Sequence, residues 1–309
     1  MRVKSQAETV QLREKVLLCS ICEKAEAVFF RPYSGERLCR RCFVQSIEKR
    51  VRKTIAKYGM FKVDDRIAVA VSGGKDSLTL LHILHNMEQK YPKAELFAIT
   101  VDEGICGYRD EAIRHADESC RRLGIKHVVV SFSNLYGYTL DEVAKTIKDR
   151  RGELTPCSYC GVLRRKALNK TARELKATKI ATAHTLDDEV QTIILNFIRG
   201  DIFRASRVMP KNDDASGKFV QRVKPFCEIP EDEIALYAYL RGINFQSVTC
   251  PYAPSAMRTE VREFVSMLES KHPGTKYVIH RSFEKVRPML KPTLKPEIRE
   301  CSICSEPSV

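Results

Sequence analysis

From residue 65 to about 200 the chain alternates short apolar runs with stretches whose apolar positions recur every three or four residues. That order predicts parallel strands joined by crossover helices, an α/β fold. Strands are expected at residues 67–71, 96–101, 127–132 and 179–183, and helices at 75–89, 109–123 and 161–175. Further helical patterns cover 230–242 and 256–271, and a basic amphipathic helix is expected at 43–58. Upstream, Val28, Phe29 and Phe30 followed by the turn residues Pro32 to Gly35 predict a short hairpin. The polar run 211–218 reads as an exposed loop, and 285–299, with three prolines, as a linker. The expected division is therefore a small module at 1–45, a linker helix at 46–64, an α/β domain at 65–285 and a tail at 286–309.

In an open parallel sheet, ligands sit at the carboxyl ends of the strands. Three polar segments fall there: Ser72-Gly-Gly-Lys-Asp-Ser77, Asp102-Glu-Gly-Ile105 and His184-Thr-Leu-Asp-Asp188. In the first, Gly73 and Gly74 let main-chain amides approach a phosphate, Lys75 supplies a positive charge, and the following helix presents its positive end. Ser72, Asp76 and Ser77 complete a nucleotide loop whose order differs from Gly-x-x-x-x-Gly-Lys-Ser/Thr. Asp187 and Asp188 open an amphipathic helix. As first-turn carboxylates they complement its dipole, or one of them holds Mg²⁺ against the phosphates of ATP.

Twelve cysteines divide into groups. Cys19-x2-Cys22 and Cys39-x2-Cys42, 16 residues apart, have the spacing of a zinc ribbon. Cys157-x2-Cys160 lacks a second pair, and Cys250 is solitary after an extended run. Three thiolates from these residues suit a [4Fe-4S] cluster with one iron open, or persulfide chemistry carried by the cysteines themselves. Cys301-x2-Cys304 lies five residues from the end and reads as half of a second zinc finger, or as a pair sharing its metal across a dimer.

Composition narrows the class. No apolar stretch approaches the roughly 20 residues that span a bilayer, and the polar start lacks a signal-peptide core, so the expected setting is the cytoplasm, where thiols stay reduced. The net charge is +14, and residues 1–60 hold 14 basic against 6 acidic side chains. That excess suits a polyanion, with Arg40, Arg41, Arg50, Arg52 and Lys53, and Arg164 and Arg165 beside the second cysteine pair, as expected RNA contacts.

These blocks together resemble the tRNA 2-thiolation proteins of the TtcA/TtuA superfamily, from the first cysteine pair to the end. The resemblance implies a PP-loop ATP pyrophosphatase domain with an N-terminal zinc ribbon. It also implies adenylation of a uridine at its 2-carbonyl oxygen, attack of sulfur on C2 and release of AMP. The ligand cysteines implied are Cys157, Cys160 and Cys250, and the ATP loop is Ser72 to Ser77, with Asp102, His184, Asp187 and Asp188 as neighbours of the nucleotide. Val101 to Arg109 and Asn196 to Asp201 look like the branch acting on the wobble uridine at position 34; the branch acting on the T-loop ribothymidine at position 54 is the alternative. Partners implied are tRNA, a sulfur donor (sulfide or a ubiquitin-like carrier) and a second subunit, identical or related. A departure is Ala183-His184-Thr185 where many relatives have Gly-His-Asn. Rivals of other classes are a PP-loop ligase acting on a small molecule and a non-catalytic RNA-binding subunit.

Overall fold

The computed structural model describes residues 17–148, 155–212, 217–252 and 257–290, with the backbone of 299–300 and 307–308. Two compact units divide it, Met1–Gln45 and Ser46–Val309. In the first, strands β1 (Phe29–Arg31) and β2 (Glu36–Leu38) form an antiparallel hairpin around a turn in which Gly35 takes φ 72°. Arg31 donates to Glu36 across it at 2.7 Å, and Phe29 meets the edge of buried Phe43 with centroids 4.9 Å apart. Helix α1 (Arg40–Lys57) starts here and continues into the second unit.

The second unit opens with β3 (Arg66–Ala70), α2 (Lys75–Glu88), β4 (Glu95–Asp102), α3 (Arg109–Leu123) and β5 (Lys126–Ser131). Next come α4 (Phe132–Tyr136), α5 (Leu140–Lys148), α6 (Pro156–Glu174), β6 (Lys179–Ala181), α7 (Leu186–Ile198), α8 (Ile202–Ser206) and β7 (Gln221–Val223). Helices α9 (Glu231–Arg241), α10 (Met257–Lys271) and α11 (Thr275–Val286) follow, and a two-residue antiparallel pair, β8 (Arg299–Glu300) with β9 (Pro307–Ser308), completes the elements. Cys301 and Cys304 lie outside the described residues.

The expected parallel sheet is present, in the order β5-β4-β3-β6-β7 with every pairing parallel. Six consecutive buried residues, 96–101 of β4, show that helices cover both faces, which is why this strand reads as an unbroken apolar run. Successive strands run outward from β3 to β4 and β5, then cross to β6 and β7. The crevice at the carboxyl ends of β3 and β6 is thus the topological switch point. On one face Ala68, Phe97, Ile99, Ile180 and Ala172 form a core that continues into Val101, Ile105, Phe132, Leu140 and Ala167. Each large side chain so buried contributes about 1.5–3 kcal/mol. On α7, Leu186, Val190 and Leu195 pack against Val261 and Val265 of α10.

Boundaries differ from the expectation where a cap intervenes. Ser131 accepts from the Asn134 amide at 3.1 Å, so Phe132 starts α4 instead of ending β5. With Pro156 at its first position, α6 begins before Gly161 and takes in both Cys157 and Cys160. Residues 243–250 form no strand; this irregular segment is tied to the glycine loop by the Gln246 backbone amide, which donates to Gly73 O at 3.0 Å.

Candidate active site

The loop after β3 owes its shape to two serines and two glycines with different tasks. Ser72 N donates to Ser77 Oγ at 3.1 Å, the two hydroxyls lie 3.1 Å apart, and Ser77 Oγ donates to Gly74 O at 3.0 Å. Gly73 takes φ 85°, and a Cβ there would lie 2.2 Å from Ala112 O of α3. Gly74 has ordinary φ and only the Ser72 hydroxyl near, at 3.6 Å; it caps α2 without any side-chain hydrogen bond, leaving first-turn amides open to an anion. Arg109 at the start of α3 fastens this loop to β4, donating to Ser72 O at 3.1 Å and Val101 O at 2.7 Å while pairing with buried Glu103 at 2.7 Å.

A cavity of about 370 Å³ opens over this loop. Ser72, Gly74, Asp76 and Ser77 line it from β3 and α2, Thr182, His184 and Asp188 from the β6 end, Glu103 from the turn after β4, Arg109 from the start of α3, Gly161, Arg164 and Arg165 from α6, and Arg222 from β7. Gly73, Lys75, Asp102 and Asp187 are outside this lining. Lys75 is held by Asp76 at 3.0 Å and Glu231 at 2.6 Å, and these carboxylates raise its pKa against the opposing effect of burial. Asp102 accepts from the Gly104 amide at 2.9 Å, which shapes the turn after β4.

The paired aspartates part company. Asp187 turns to Lys276 Nζ at 2.5 Å and to the Glu231 amide at 2.8 Å, joining α7 to α11 and α9. Asp188 faces the cavity and forms a capping box with Thr185. Burial alone would raise its pKa, but His184, the Thr185 amide and Arg258 outweigh it and keep the carboxyl below its ordinary value, hence ionised. Asp76 behaves oppositely: burial, with Glu231 and Asp188 adding, pushes it up to about 6 in spite of Lys75. An ionised carboxylate beside a phosphate loop is where Mg²⁺ would bind, and Asp188 fits that role.

The first turn of α6 presents Cys157 and Cys160 on one face, and Arg164 follows one turn later on the same side. Cys157 donates to Tyr252 O at 2.7 Å, and the Tyr252 hydroxyl to Asp141 at 2.8 Å. Cys160 and Cys250 pack against the same apolar cluster, so the three thiols sit in one corner although 93 residues separate the first from the last. Burial raises Cys157, with Cys250 adding, and pushes Cys160 up to about 11, with Arg164 opposing. These are protonated thiols that a metal would deprotonate. Three convergent cysteines fit a cluster that keeps one iron open.

In the first unit, the sulfurs of Cys19, Cys22, Cys39 and Cys42 lie within 4.8 Å of one another, with Cys22 and Cys39 3.8 Å apart. Zn–S bonds of about 2.3 Å in a tetrahedron require about that spacing. Burial opposes ionisation of Cys19, but the amides of Cys22, Cys39 and Ile21 outweigh it and bring the thiol down to about 6. Of the basic residues, Arg40, Arg41, Arg52 and Lys53 are exposed, whereas Arg50 is turned inward to buried Glu233 at 2.7 Å and Glu228 O at 3.1 Å. Sequence reasoning did not single out Arg222 or Thr182 as site residues: Arg222 sits on the three-residue edge strand β7, and Thr182, just after β6, lies in a segment read only as strand.

Comparison with known proteins agrees with this geometry. A PP-loop domain family matches residues 44–268, and the N-terminal LIM domain of the 2-thiouridine synthetase TtuA matches 18–44. A Methanocaldococcus jannaschii protein named "Probable sulfurtransferase" is 38% identical over 96% of this chain and 85% of its own length. Cytoplasmic tRNA 2-thiolation protein 1 of Chlamydomonas reinhardtii is 39% identical over 93% of this chain and 80% of its own. The structure of the U34-tRNA thiolase NcsA from Methanococcus maripaludis with its [4Fe-4S] cluster superposes with a TM-score of 0.81 at 34% identity, covering 93% of this chain and 94% of that one. With a nucleotide loop and a three-cysteine corner meeting along α6, the chain belongs to the PP-loop family of tRNA 2-thiolation proteins.

Proposed function

We propose that this protein is an ATP-dependent tRNA sulfurtransferase that converts the wobble uridine at position 34 to 2-thiouridine, acting in the cytoplasm like the relatives named for that compartment. The observation that carries the reading is that α6 supplies both thiols of the Cys157/Cys160 pair and the Gly161, Arg164 and Arg165 wall of the ATP cavity. One helix thus brings the site of activation and the sulfur corner together. The first-turn amides of α2 receive the phosphates of ATP, and Asp188 would hold Mg²⁺, which would neutralise charge on the leaving pyrophosphate. The uridine O2 attacks the α-phosphorus and pyrophosphate leaves; sulfur then adds at C2 and AMP departs with the oxygen. Arg164, 3.6 Å from Glu103 and on the cavity wall, steadies charge on the adenylated oxygen. A [4Fe-4S] cluster held by Cys157, Cys160 and Cys250 supplies an iron position for sulfur from sulfide or a ubiquitin-like carrier. Cys19, Cys22, Cys39 and Cys42 would hold Zn²⁺, which would stabilise the N-terminal module; exposed Arg40 and Arg41, and exposed Arg52 and Lys53 further along α1, contact tRNA.

The experiment is anaerobic purification with iron, acid-labile sulfide and zinc analysis of the wild type and a Cys157→Ala, Cys160→Ala, Cys250→Ala variant, coupled to nucleoside analysis of tRNA incubated with ATP and sulfide. About four irons per chain that vanish in the variant, together with loss of 2-thiouridine and retained zinc, are expected. Unchanged thiolation by the variant would overturn the cysteine assignment. Thiolation confined to position 54 would move the reading to the T-loop branch.

A further inference from the structure

Beyond the phosphate loop, the cavity has a second charged end. Arg165 of α6 and Arg222 of β7 line it, and Arg204 and Arg207, in and just after α8, adjoin them. Among the described residues Arg164 has Glu103 at 3.6 Å and Arg204 has Asp201 at 3.2 Å, but no carboxylate comes within ion-pair distance of Arg165, Arg207 or Arg222. Three guanidinium groups, none with a carboxylate in ion-pair reach among the described residues, come from α6, the end of α8 and β7. Burial lowers the pKa of Arg165 and of Arg222, and neighbouring arginines lower both further: Arg164 and Arg204 act on Arg165, and Arg165 and Arg207 act on Arg222. Such repulsion persists in a fold when an anion relieves it.

The nucleotide's triphosphate has acceptors of its own in the first-turn amides of α2, and the arginines line the cavity from other elements, α6 and β7. The arginine group also continues outward. Arg204 and Arg207 are exposed, Arg207 lies over the Phe203 ring at 5.5 Å, and Phe197, Ile198 and Ile202 next to them are 44–57% exposed. A cationic row that starts inside the cavity and ends beside exposed aromatic and aliphatic side chains suits a strand of nucleic acid, with phosphates on guanidinium groups and a base against an apolar face. We propose that Arg165, Arg207 and Arg222 form a phosphate clamp for the RNA backbone flanking the target nucleotide, holding that nucleotide in the cavity while ATP occupies the Ser72–Ser77 loop. This rests on the tRNA-thiolation reading and adds to it residues that set the RNA's position, β7 and the α8 corner included.

The test uses the full-length, cluster-loaded protein with unmodified tRNA. Binding of tRNA is measured from 50 to 300 mM salt, and ATP binding separately, for wild type, Arg222→Gln, Arg207→Gln and Arg222→Lys, with melting curves to verify folding. Each Gln variant is expected to weaken tRNA binding about tenfold at low salt and to reduce the slope of log K against log salt by about one, with ATP affinity within about twofold. Arg222→Lys should restore the slope but not all of the affinity. An unchanged salt slope in folded Arg222→Gln, with wild type still binding and thiolating tRNA, would overturn the clamp and leave the enzymatic reading intact. Parallel loss of ATP affinity would reassign the arginines to the nucleotide and likewise overturn it. Failure of the wild type itself to bind tRNA would instead strike the function on which the clamp rests.

Discussion

Gly73 points its missing Cβ into the backbone of Ala112, where an added methyl carbon would stand 2.2 Å from the carbonyl oxygen. The glycine loop therefore packs on α3 at a distance that only hydrogen permits, and its φ of 85° adds a second demand for glycine. Gly74, next in the chain, has neither constraint and instead faces the cavity. Gly73→Ala should push α3 and the loop apart, costing about 3 kcal/mol or more in stability and abolishing ATP binding. Gly74→Ala should melt within about 1 kcal/mol of wild type yet bind ATP at least tenfold more weakly, because its methyl group occupies the approach to the phosphates. Thermal melts beside ATP titrations separate the two, and equal melting losses would refute the division of labour.

Asp76 makes stability and function pull in opposite directions with pH. Its folded pKa of about 6 stands above the ordinary 3.8, so the folded state binds its proton more tightly than the unfolded state. The stabilisation from that proton is full below pH 3.8 and is lost as pH rises through 6. Asp76→Asn, neutral throughout, should therefore gain on wild type across pH 4–7. The gain should level at about 1–2 kcal/mol by pH 8, after discounting for the part of the carboxyl that reaches solvent. The same variant should lose ATP turnover. Melting of both proteins from pH 4 to 8 measures this, and a constant difference across the range would show that Asp76 does not titrate there.

The two aspartates at the head of α7 should fail differently. Asp187→Asn breaks the contact with Lys276 Nζ and leaves that ammonium, only 12% exposed, without its partner. A loss of about 3 kcal/mol is expected, with the KM for ATP little changed in whatever protein remains folded. Asp188→Asn retains a side-chain oxygen for the Thr185 cap but loses the charge facing the cavity. Its melting should stay close to wild type while turnover falls at least a hundredfold and its dependence on Mg²⁺ weakens. The reverse pattern would place the ion on Asp187.

How far the chain announces this arrangement depends on which physical signal each part carries. β4 and α3 were legible because a buried parallel strand is a continuous apolar run and a helix between sheet and solvent keeps a 3.6-residue period. The two zinc-spaced pairs were legible because ligand geometry fixes chain spacing locally. β7 was not, since Gln221-Arg222-Val223 is a three-residue edge strand held by hydrogen bonds from β6 on one side and from residues 210–212 on the other, neither of which its own sequence announces. Nor could spacing distinguish Asp187 from Asp188: adjacent residues on a helix diverge by about 100°, and what they meet, Lys276 or the cavity, comes from α11 and the sheet. Lys75 is similar, because the motif carries its charge but Glu231, 156 residues away, decides where that charge rests.

Arg50 belongs to a basic run that reads as an RNA surface, yet it holds the fold. Its guanidinium meets Glu233, which is 1% exposed, and donates also to Glu228 O and the Tyr277 hydroxyl, tying α1 to α9 and α11. Arg50→Met removes an ion-pair partner from the buried Glu233 carboxylate, and a loss of about 3 kcal/mol is expected; adding Glu233→Leu should recover part of it by removing the buried charge. Arg52 and Lys53, both exposed, should behave in the opposite way. Their replacement by Gln should shift melting by less than about 0.5 kcal/mol while lowering tRNA affinity and its salt dependence. Denaturation midpoints and tRNA binding measured on the same preparations decide the matter. A stable Arg50→Met protein with weakened RNA binding would return Arg50 to the RNA surface, whereas an unstable one that binds tRNA normally under conditions where it stays folded assigns this arginine to the joint between helices.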